Sequence, residues 1–186
     1  MIRLFVALAL PETLGKRLAM LAGGVREARW LDIGNLHLTL SFIGDTSEDM
    51  VDDINHALEK IRADGFDMTL AGVGHFQSRK KVHALWAGIE ANPALMDLQG
   101  RVASALMRAG CVPDRRRFTP HVTLARLKPA PPAHVRDWLE ANSLFRADPV
   151  PVTGFTLFQS HLIQSGAQYQ PLREFPLQAR EAQKAG

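Results

Sequence analysis

The chain has 186 residues, of which 46% are apolar and 22% charged, the proportions of an ordinary soluble globular protein of one domain or two small fused lobes. Lys and Arg number 22 against 19 Asp and Glu, a net charge of +3 that is too mild to point to nucleic acid by itself. No apolar run approaches the roughly 18 residues needed to cross a bilayer, and the single Cys111 excludes an intramolecular disulfide and suits a reducing cytoplasm.

Ile2 to Ala9 is apolar throughout and stops at Pro11. One basic residue, Arg3, and no clean cleavage site make a buried first strand a better reading than a signal peptide. Pro11 suits the first turn of a helix, and Leu14, Leu18, Leu21 and Val25 follow at helical spacing. Trp30 to Gly34 reads as a connection into Asn35-Leu36-His37-Leu38-Thr39-Leu40-Ser41-Phe42, a strand that Gly44-Asp45 should terminate. Thr46 or Ser47 can cap a second helix with the stripe Val51, Ile54, Leu58 and Ile61. Phe66, Met68 and Leu70 alternate as a strand towards Phe76; Arg79-Lys80-Lys81 makes a basic turn, and Val82 to Ile89 returns as a strand.

A second round follows. Pro93 opens a helix with the stripe Leu95, Leu98, Val102 and Leu106, ended by Gly110. A loop with Pro113 and Arg115-Arg116-Arg117 leads into Phe118-Thr119-Pro120-His121-Val122-Thr123-Leu124-Ala125-Arg126. Pro129, Pro131 and Pro132 should stop that strand and start a short helix carrying Val135, Trp138 and Leu139. Val150 to Ile163 and Tyr169 to Leu177 read as closing strands, with a polar tail from Ala179 to Gly186 expected to fray.

The repeat is the informative feature. His121 follows His37 by 84 residues, and Thr123 follows Thr39 by the same 84. Pro11 and Pro93 open helices 82 apart. Each half reads strand, Pro, helix, His-x-Thr strand, helix, strand. The expected fold is α+β: a bilobal pseudo-twofold duplication with antiparallel sheets facing across a central cleft and helices packed outside. Residues 1–178 are expected to form one bilobal domain, with repeats of about 2–76 and 82–163, a closing strand 168–178, and 179–186 as the tail.

Alternation places His37, Thr39 and Ser41 on one strand face and Leu36, Leu38, Leu40 and Phe42 on the other. His121 and Thr123 oppose Val122 and Leu124 in the same way. One His-x-Thr usually marks only a half-exposed strand; two in matched contexts are far more specific. Two imidazoles titrating near pH ~6.5 can supply one base and one acid at neutral pH. Two hydroxyls and a guanidinium add donors for a phosphate whose charge redistributes in the transition state. Neither motif carries the adjacent carboxylate or third close ligand of a zinc site, so no metal or other cofactor is expected.

These paired motifs, together with Phe5-Val6-Ala7-Leu8, Trp86-Ala87-Gly88 and Phe175-Pro176-Leu177, resemble the two-histidine phosphoesterase superfamily. Within it the chain is most similar to the bacterial and archaeal RNA 2′,3′-cyclic phosphodiesterases, also called 2′-5′ RNA ligases, from Arg3 to about Leu177. The resemblance implies metal-independent hydrolysis of an RNA terminal 2′,3′-cyclic phosphate to a 2′-phosphate, with 2′-5′ ligation in some members. It implies His37 as proton donor to the departing 3′ oxygen, His121 as acceptor from water, and Thr39, Thr123 and Arg126 as phosphate-binding residues. Strict alternation puts Arg126 on the face away from His121, so reaching the site requires the strand to end or bulge after Ala125. The implied partner is RNA with a 2′,3′-cyclic phosphate end or a 2′-5′ linkage; no membrane partner is expected, and a monomer is.

The remaining candidates read more plainly. His56, His75, His83, His134 and His161 are expected to be structural or exposed, and Phe42 and Trp86 to be core. Ser160 stands where the family often has serine. The runs Arg79–Lys81 and Arg115–Arg117 could equally rim the cleft or face solvent. The family often has proline after the arginine near Lys80, and this sequence does not. Two other readings remain: a related phosphodiesterase acting on nucleotide cyclic phosphates or 2′-5′ oligonucleotides, and a non-catalytic RNA-binding module.

Overall fold

A computed structural model describes residues 1–112, 116–163 and 166–180. The order of elements is β1 (Ile2–Ala9), α1 (Glu12–Ala19), β2 (Ala28–Trp30), β3 (His37–Thr46), α2 (Met50–Glu59), β4 (Phe66–Met68), β5 (Leu70–Ser78), β6 (Lys81–Ile89), α3 (Pro93–Arg108), β7 (His121–Ala130), α4 (Arg136–Ala141), β8 (Val150–Val152), β9 (Gly154–Ile163) and β10 (Gly166–Pro176). The α+β class and the antiparallel duplication follow the sequence reading.

The strands run β10-β9-β1-β3-β7-β6-β5, with β2 on the edge of β7. The seam between β3 and β7 is a single bridge, Leu38 to Val122. On either side of it the halves are extensively paired: β3 with β1, β1 with β9 and β9 with β10 in one lobe, β7 with β6 and β6 with β5 in the other. The third strand of each lobe is exchanged. β5 lies in the first half of the chain but completes the β6–β7 sheet, and β9 of the second half completes the β1–β3 sheet. Beyond the main sheet, β4 and β8 pair as a short antiparallel ribbon from Phe66 opposite Val152 to Met68 opposite Val150.

The helices cover one face. Leu4, Val6, Leu8, Leu38, Leu85, Ala87, Val122 and Leu157 are buried under them. Their partners are Leu14 and Leu18 of α1, Ile54 and Leu58 of α2, Leu95, Leu98 and Val102 of α3, and Trp138 of α4. Completely burying each such aliphatic side chain contributes about 1.5–3 kcal/mol, so the two sheets hold their positions through this shared apolar layer. α3 is capped by Asn92, whose side chain accepts from the Leu95 amide at 3.1 Å, and Pro93 opens it.

Several boundaries differ from the sequence expectation. α1 ends at Ala19 rather than continuing to Val25; Gly23 and Gly24, at φ 119° and 73°, turn the chain back. β2 fills the gap between the end expected for α1, at Val25, and the expected connection, sharing only Trp30 with the latter. β3 continues through Gly44 and Asp45 to Thr46, since its β1 partners Leu4, Arg3 and Ile2 are still available there. β7 runs through Pro129 to Ala130 at an edge where no ladder donor is required of the proline. Val150–Ile163 is two strands, β8 and β9, not one. Arg180 pairs with Asp67 at 2.6 Å, so order continues two residues into the segment expected to fray; 181–186 lie outside the described residues.

The β5–β6 turn is built on Arg79 and Lys80 at φ 48° and 61°. Two successive positive φ values match the twist of a tight hairpin. Lys80 therefore holds a conformation closed to proline, whose ring fixes φ near −65°.

Candidate active site

The bridge between Leu38 and Val122 fixes the site. Both side chains are fully buried on the helix side. Continuing that antiparallel register by one residue sets His37 against Thr123 and Thr39 against His121, all four on the opposite face. The four residues of the two motifs thus form a pseudo-symmetric quartet where the lobes part.

Each imidazole is held in the same way. His37 Nδ1 lies 2.8 Å from the Asn35 carbonyl, and His121 Nδ1 lies 2.7 Å from the Thr119 carbonyl. An N–H must donate to each carbonyl, so both rings carry the proton on Nδ1 and leave Nε2 free. The acceptors are two residues upstream, at the points where β3 and β7 begin, before their carbonyls enter a ladder. A turn at Ile33–Asn35 and Pro120 shape these two entries.

Aromatic rings wall the histidines. The Phe5 ring centroid is 5.0 Å from that of His37 and Tyr169 meets it edge-on at 4.9 Å, while Phe158 stacks on Phe5 at 5.2 Å. His121 receives Phe76 edge-on at 4.7 Å, with Trp86 at 6.3 Å. The strand exchange has a consequence here: Phe158 of β9 lies beside the histidine of the first half, and Phe76 of β5 against that of the second. Gly74 leaves space for the Trp86 ring, which a Cβ at that position would overlap.

Burial pushes His37 down from the usual 6.5 to about 4; the Asn35 hydrogen bond opposes the shift, and the charges of Arg126 and His121 add to it. Burial likewise lowers His121, against the Thr119 hydrogen bond and together with Arg126. Both are therefore neutral at pH 7 in the free protein, two bases awaiting a ligand that can charge one of them.

A bulge brings Arg126 to the site. Trp86 pairs with Thr123 but Leu85 with Ala125, so Leu124 is an extra residue that inverts the alternation beyond it. Leu124 and Ala125 are both buried, and Arg126 emerges exposed on the face of His121. The break comes one residue earlier than the position the sequence required. β3 carries the same bulge at Leu40, between the pairs Ala7–Thr39 and Val6–Ser41. Ser41 consequently shares the face of Val6, away from His37, while Phe42 turns to the His37 side, its ring 6.1 Å from Phe5. Phe42 is thus not core: half of its surface is exposed. Trp86, half-buried, lines the cleft wall rather than the helix-covered core.

The remaining candidates fall elsewhere. Ser160 shares the face of Phe158 but pairs with Tyr169 of β10 rather than meeting the histidines. His134 bonds the Arg26 carbonyl at 2.8 Å, His161 faces Gln170 at 3.1 Å, His56 is exposed on α2, and His75 pairs with Leu85. Arg117 is exposed; Arg115 lies outside the described residues. Sequence reasoning missed the aromatic walls, although Phe5, Phe76 and Phe158 were visible in strands, because their faces depend on which strands pair. Among the described residues no three His, Cys, Asp or Glu side chains gather into a set that could hold a metal.

The 2′-5′ RNA ligase superfamily pattern matches residues 27–164. An RNA 2′,3′-cyclic phosphodiesterase of Aeropyrum pernix is 34% identical over 143 residues, 75% of this chain and 81% of its own. One of Escherichia coli strain K12 is 32% identical over 151 residues, covering 77% of this chain and 76% of its own. Among solved structures, Escherichia coli LigT complexed with 3′-AMP superposes with a TM-score of 0.77 at 28% identity over 95% of this chain and 98% of the other. A Thermus thermophilus protein, TT0787, gives 0.79 at 26% identity, covering 97% and 100%. With both His-x-Thr motifs at the seam between the lobes and the family pattern spanning them, this chain belongs to the 2′-5′ RNA ligase superfamily.

Proposed function

We propose that the chain hydrolyses the 2′,3′-cyclic phosphate at an RNA end to a 2′-phosphate without a metal ion. The observation that carries this reading is the quartet of His37, Thr39, His121 and Thr123 around one bridge, with each Nδ1 tied to a carbonyl and each Nε2 free. Relatives of this family that are RNA 2′,3′-cyclic phosphodiesterases support it. Thr39 and Thr123 donate to the nonbridging oxygens, and Arg126 supplies a fixed positive charge.

Water attacks phosphorus as His121 Nε2 accepts its proton; the bond to the 3′ oxygen breaks as His37 Nε2 protonates it. The acid role of His37 and the base role of His121 follow the family resemblance of the two motifs. Burial leaves His37 the more strongly depressed ring in the free protein, so it carries a proton only when a bound phosphate anion opposes that burial. His121 is the more open of the two and meets solvent water. A 5′-hydroxyl of a second strand attacking the cyclic phosphate in place of water, its proton taken by His121 and the 3′ oxygen again leaving with the proton of His37, gives the 2′-5′ linkage named in the family description.

This activity belongs to one bilobal domain, residues 1–178, built from repeats of about 2–76 and 82–163 with 168–178 closing the sheet, acting as a monomer in the cytoplasm. No helix among the described residues is long and apolar enough to cross a membrane. The test is incubation with an RNA ending in 2′,3′-cyclic phosphate, with EDTA present, followed by mapping of the product phosphate. A 2′-phosphate supports the proposal; loss of turnover on chelation with restoration by zinc or manganese overturns the metal-free mechanism.

A further inference from the structure

A second guanidinium stands beside Arg126. β2 pairs with β7 so that Arg29 faces Arg126 directly, with Ala28 opposite Leu127 and Trp30 opposite Ala125. Trp30 packs on Trp138 of α4, ring centroids 5.7 Å apart, which fixes the helix side of β2 and turns Arg29 to the cleft side with Arg126. Like charges directly opposite each other across a ladder are unfavourable. Arg3, Arg101, Arg146, Arg173 and Arg180 each pair with a carboxylate; among the described residues neither Arg29 nor Arg126 does. Arg29 is exposed, and its guanidinium extends to Gly166 at the start of β10, where φ is 132° and a Cβ would overlap it. The same rim is tied down by Asn35, whose side-chain amide donates to the Ala167 carbonyl at 3.3 Å and whose own carbonyl holds His37. Arg29 therefore lies on the His37 side of the cleft, one cross-strand step outward from Arg126.

We propose that Arg29 binds the internucleotide phosphate on the 5′ side of the terminal nucleotide, making the site selective for an RNA end over a free nucleoside cyclic phosphate. This rests on the reading of the site given above. There, the 3′ oxygen that His37 protonates stays on the ribose, so the ribose and the strand running from its 5′ carbon lie on the His37 side. The reacting phosphate takes Arg126 and the quartet; the next phosphate along the strand meets Arg29. Two anions relieve the repulsion between two guanidiniums that no carboxylate among the described residues neutralises.

The test compares a nucleoside 2′,3′-cyclic phosphate, a dinucleotide ending in 2′,3′-cyclic phosphate, and the same dinucleotide with a neutral methylphosphonate linkage. For the intact protein kcat/KM should be about tenfold higher on the charged dinucleotide than on the other two. R29Q should remove that advantage and leave the nucleoside substrate unchanged, with Tm the same or higher. It should also flatten the logarithmic salt dependence for the dinucleotide by about 0.7, the loss of one phosphate contact to a single strand. Equal effects of R29Q on all three substrates, or none on any, would overturn the proposal. So would a methylphosphonate substrate turned over as well as the charged one by the unaltered protein, a result that needs no variant to fold. Turnover of the charged dinucleotide checks the underlying site: its absence from the unaltered protein refutes both readings, whereas its presence without charged-linkage selectivity refutes this one alone.

Discussion

Phe42 and Arg126 occupy equivalent places in the two halves. Each is the third residue after the motif threonine, each is separated from it by a bulge, at Leu40 and Leu124, and each is turned to the face of its histidine. The duplication thus preserves the geometry while the chemistry diverges: one lobe presents an exposed aromatic ring and the other a guanidinium. A symmetric quartet flanked by unlike groups gives a nucleotide one orientation, with charge near Arg126 and an apolar surface near Phe42. Arg126→Gln should reduce kcat/KM on a 2′,3′-cyclic phosphate by about 10- to 100-fold, the worth of a hydrogen bond to a charged oxygen. Arg126→Lys should recover part of the loss. Steady-state rates with Tm as a fold control decide it; an unaltered rate would place the guanidinium outside the reaction.

Thr39→Val and Thr123→Val each remove one hydroxyl from the quartet while keeping the β-branched shape. Each should cost about 1–3 kcal/mol in transition-state stabilisation, one hydrogen bond to a charged oxygen. Comparing kcat/KM on one cyclic phosphate measures both; a loss equal to that of a histidine variant would mean the hydroxyl takes part in proton transfer.

The depressed pKa of His37 makes stability pH-dependent. An unfolded histidine takes its proton near 6.5, while His37 in the folded chain takes it at about 4, chiefly because burial disfavours its charge. The unfolded state therefore binds the proton more readily between those values. Its contribution to stability is intact above about pH 6.5 and declines as pH falls towards 4, by about 3 kcal/mol in all. Urea unfolding between pH 7 and pH 4 should show a steeper loss for the unaltered chain than for His37→Gln. Bound inorganic phosphate should reduce the difference. Identical pH slopes for the two proteins would show that His37 is not desolvated as described.

Lys80 offers a test of the hairpin independent of chemistry. Its φ of 61° excludes proline, so Lys80→Pro should destabilise the fold by more than about 1 kcal/mol, whereas Lys80→Gly or Lys80→Asn should be tolerated or stabilise it. Thermal melts of the three variants suffice. A stable proline variant would mean the turn is not of this type.

The class of fold and the four central residues were legible because the evidence for them is local. The 84-residue spacing and the helical stripes survive in sequence whatever the tertiary arrangement. Two things were not legible. The bulges at Leu40 and Leu124 replace no residue and leave no turn signature, so alternation mis-assigned Ser41 and Phe42, although it flagged that Arg126 needed a break. The exchange of β5 and β9 between lobes is a long-range pairing, and it alone brings Phe76 to His121 and Phe158 beside His37. The short β2 went unread between the first helix and the connection from Trp30, and with it Arg29, because three residues carry too little pattern to announce a strand.

The central claim is that His37 and His121 work as one acid–base pair. It is tested by single-turnover cleavage of an RNA 2′,3′-cyclic phosphate, with EDTA present, by the unaltered chain, His37→Ala, His121→Ala and the double variant. Each single variant should be slower by about 10²–10⁴, some 3–5 kcal/mol of barrier, and the double variant should lose less than the product of the two. Either single variant retaining the full rate, or losses that multiply without coupling, would contradict it.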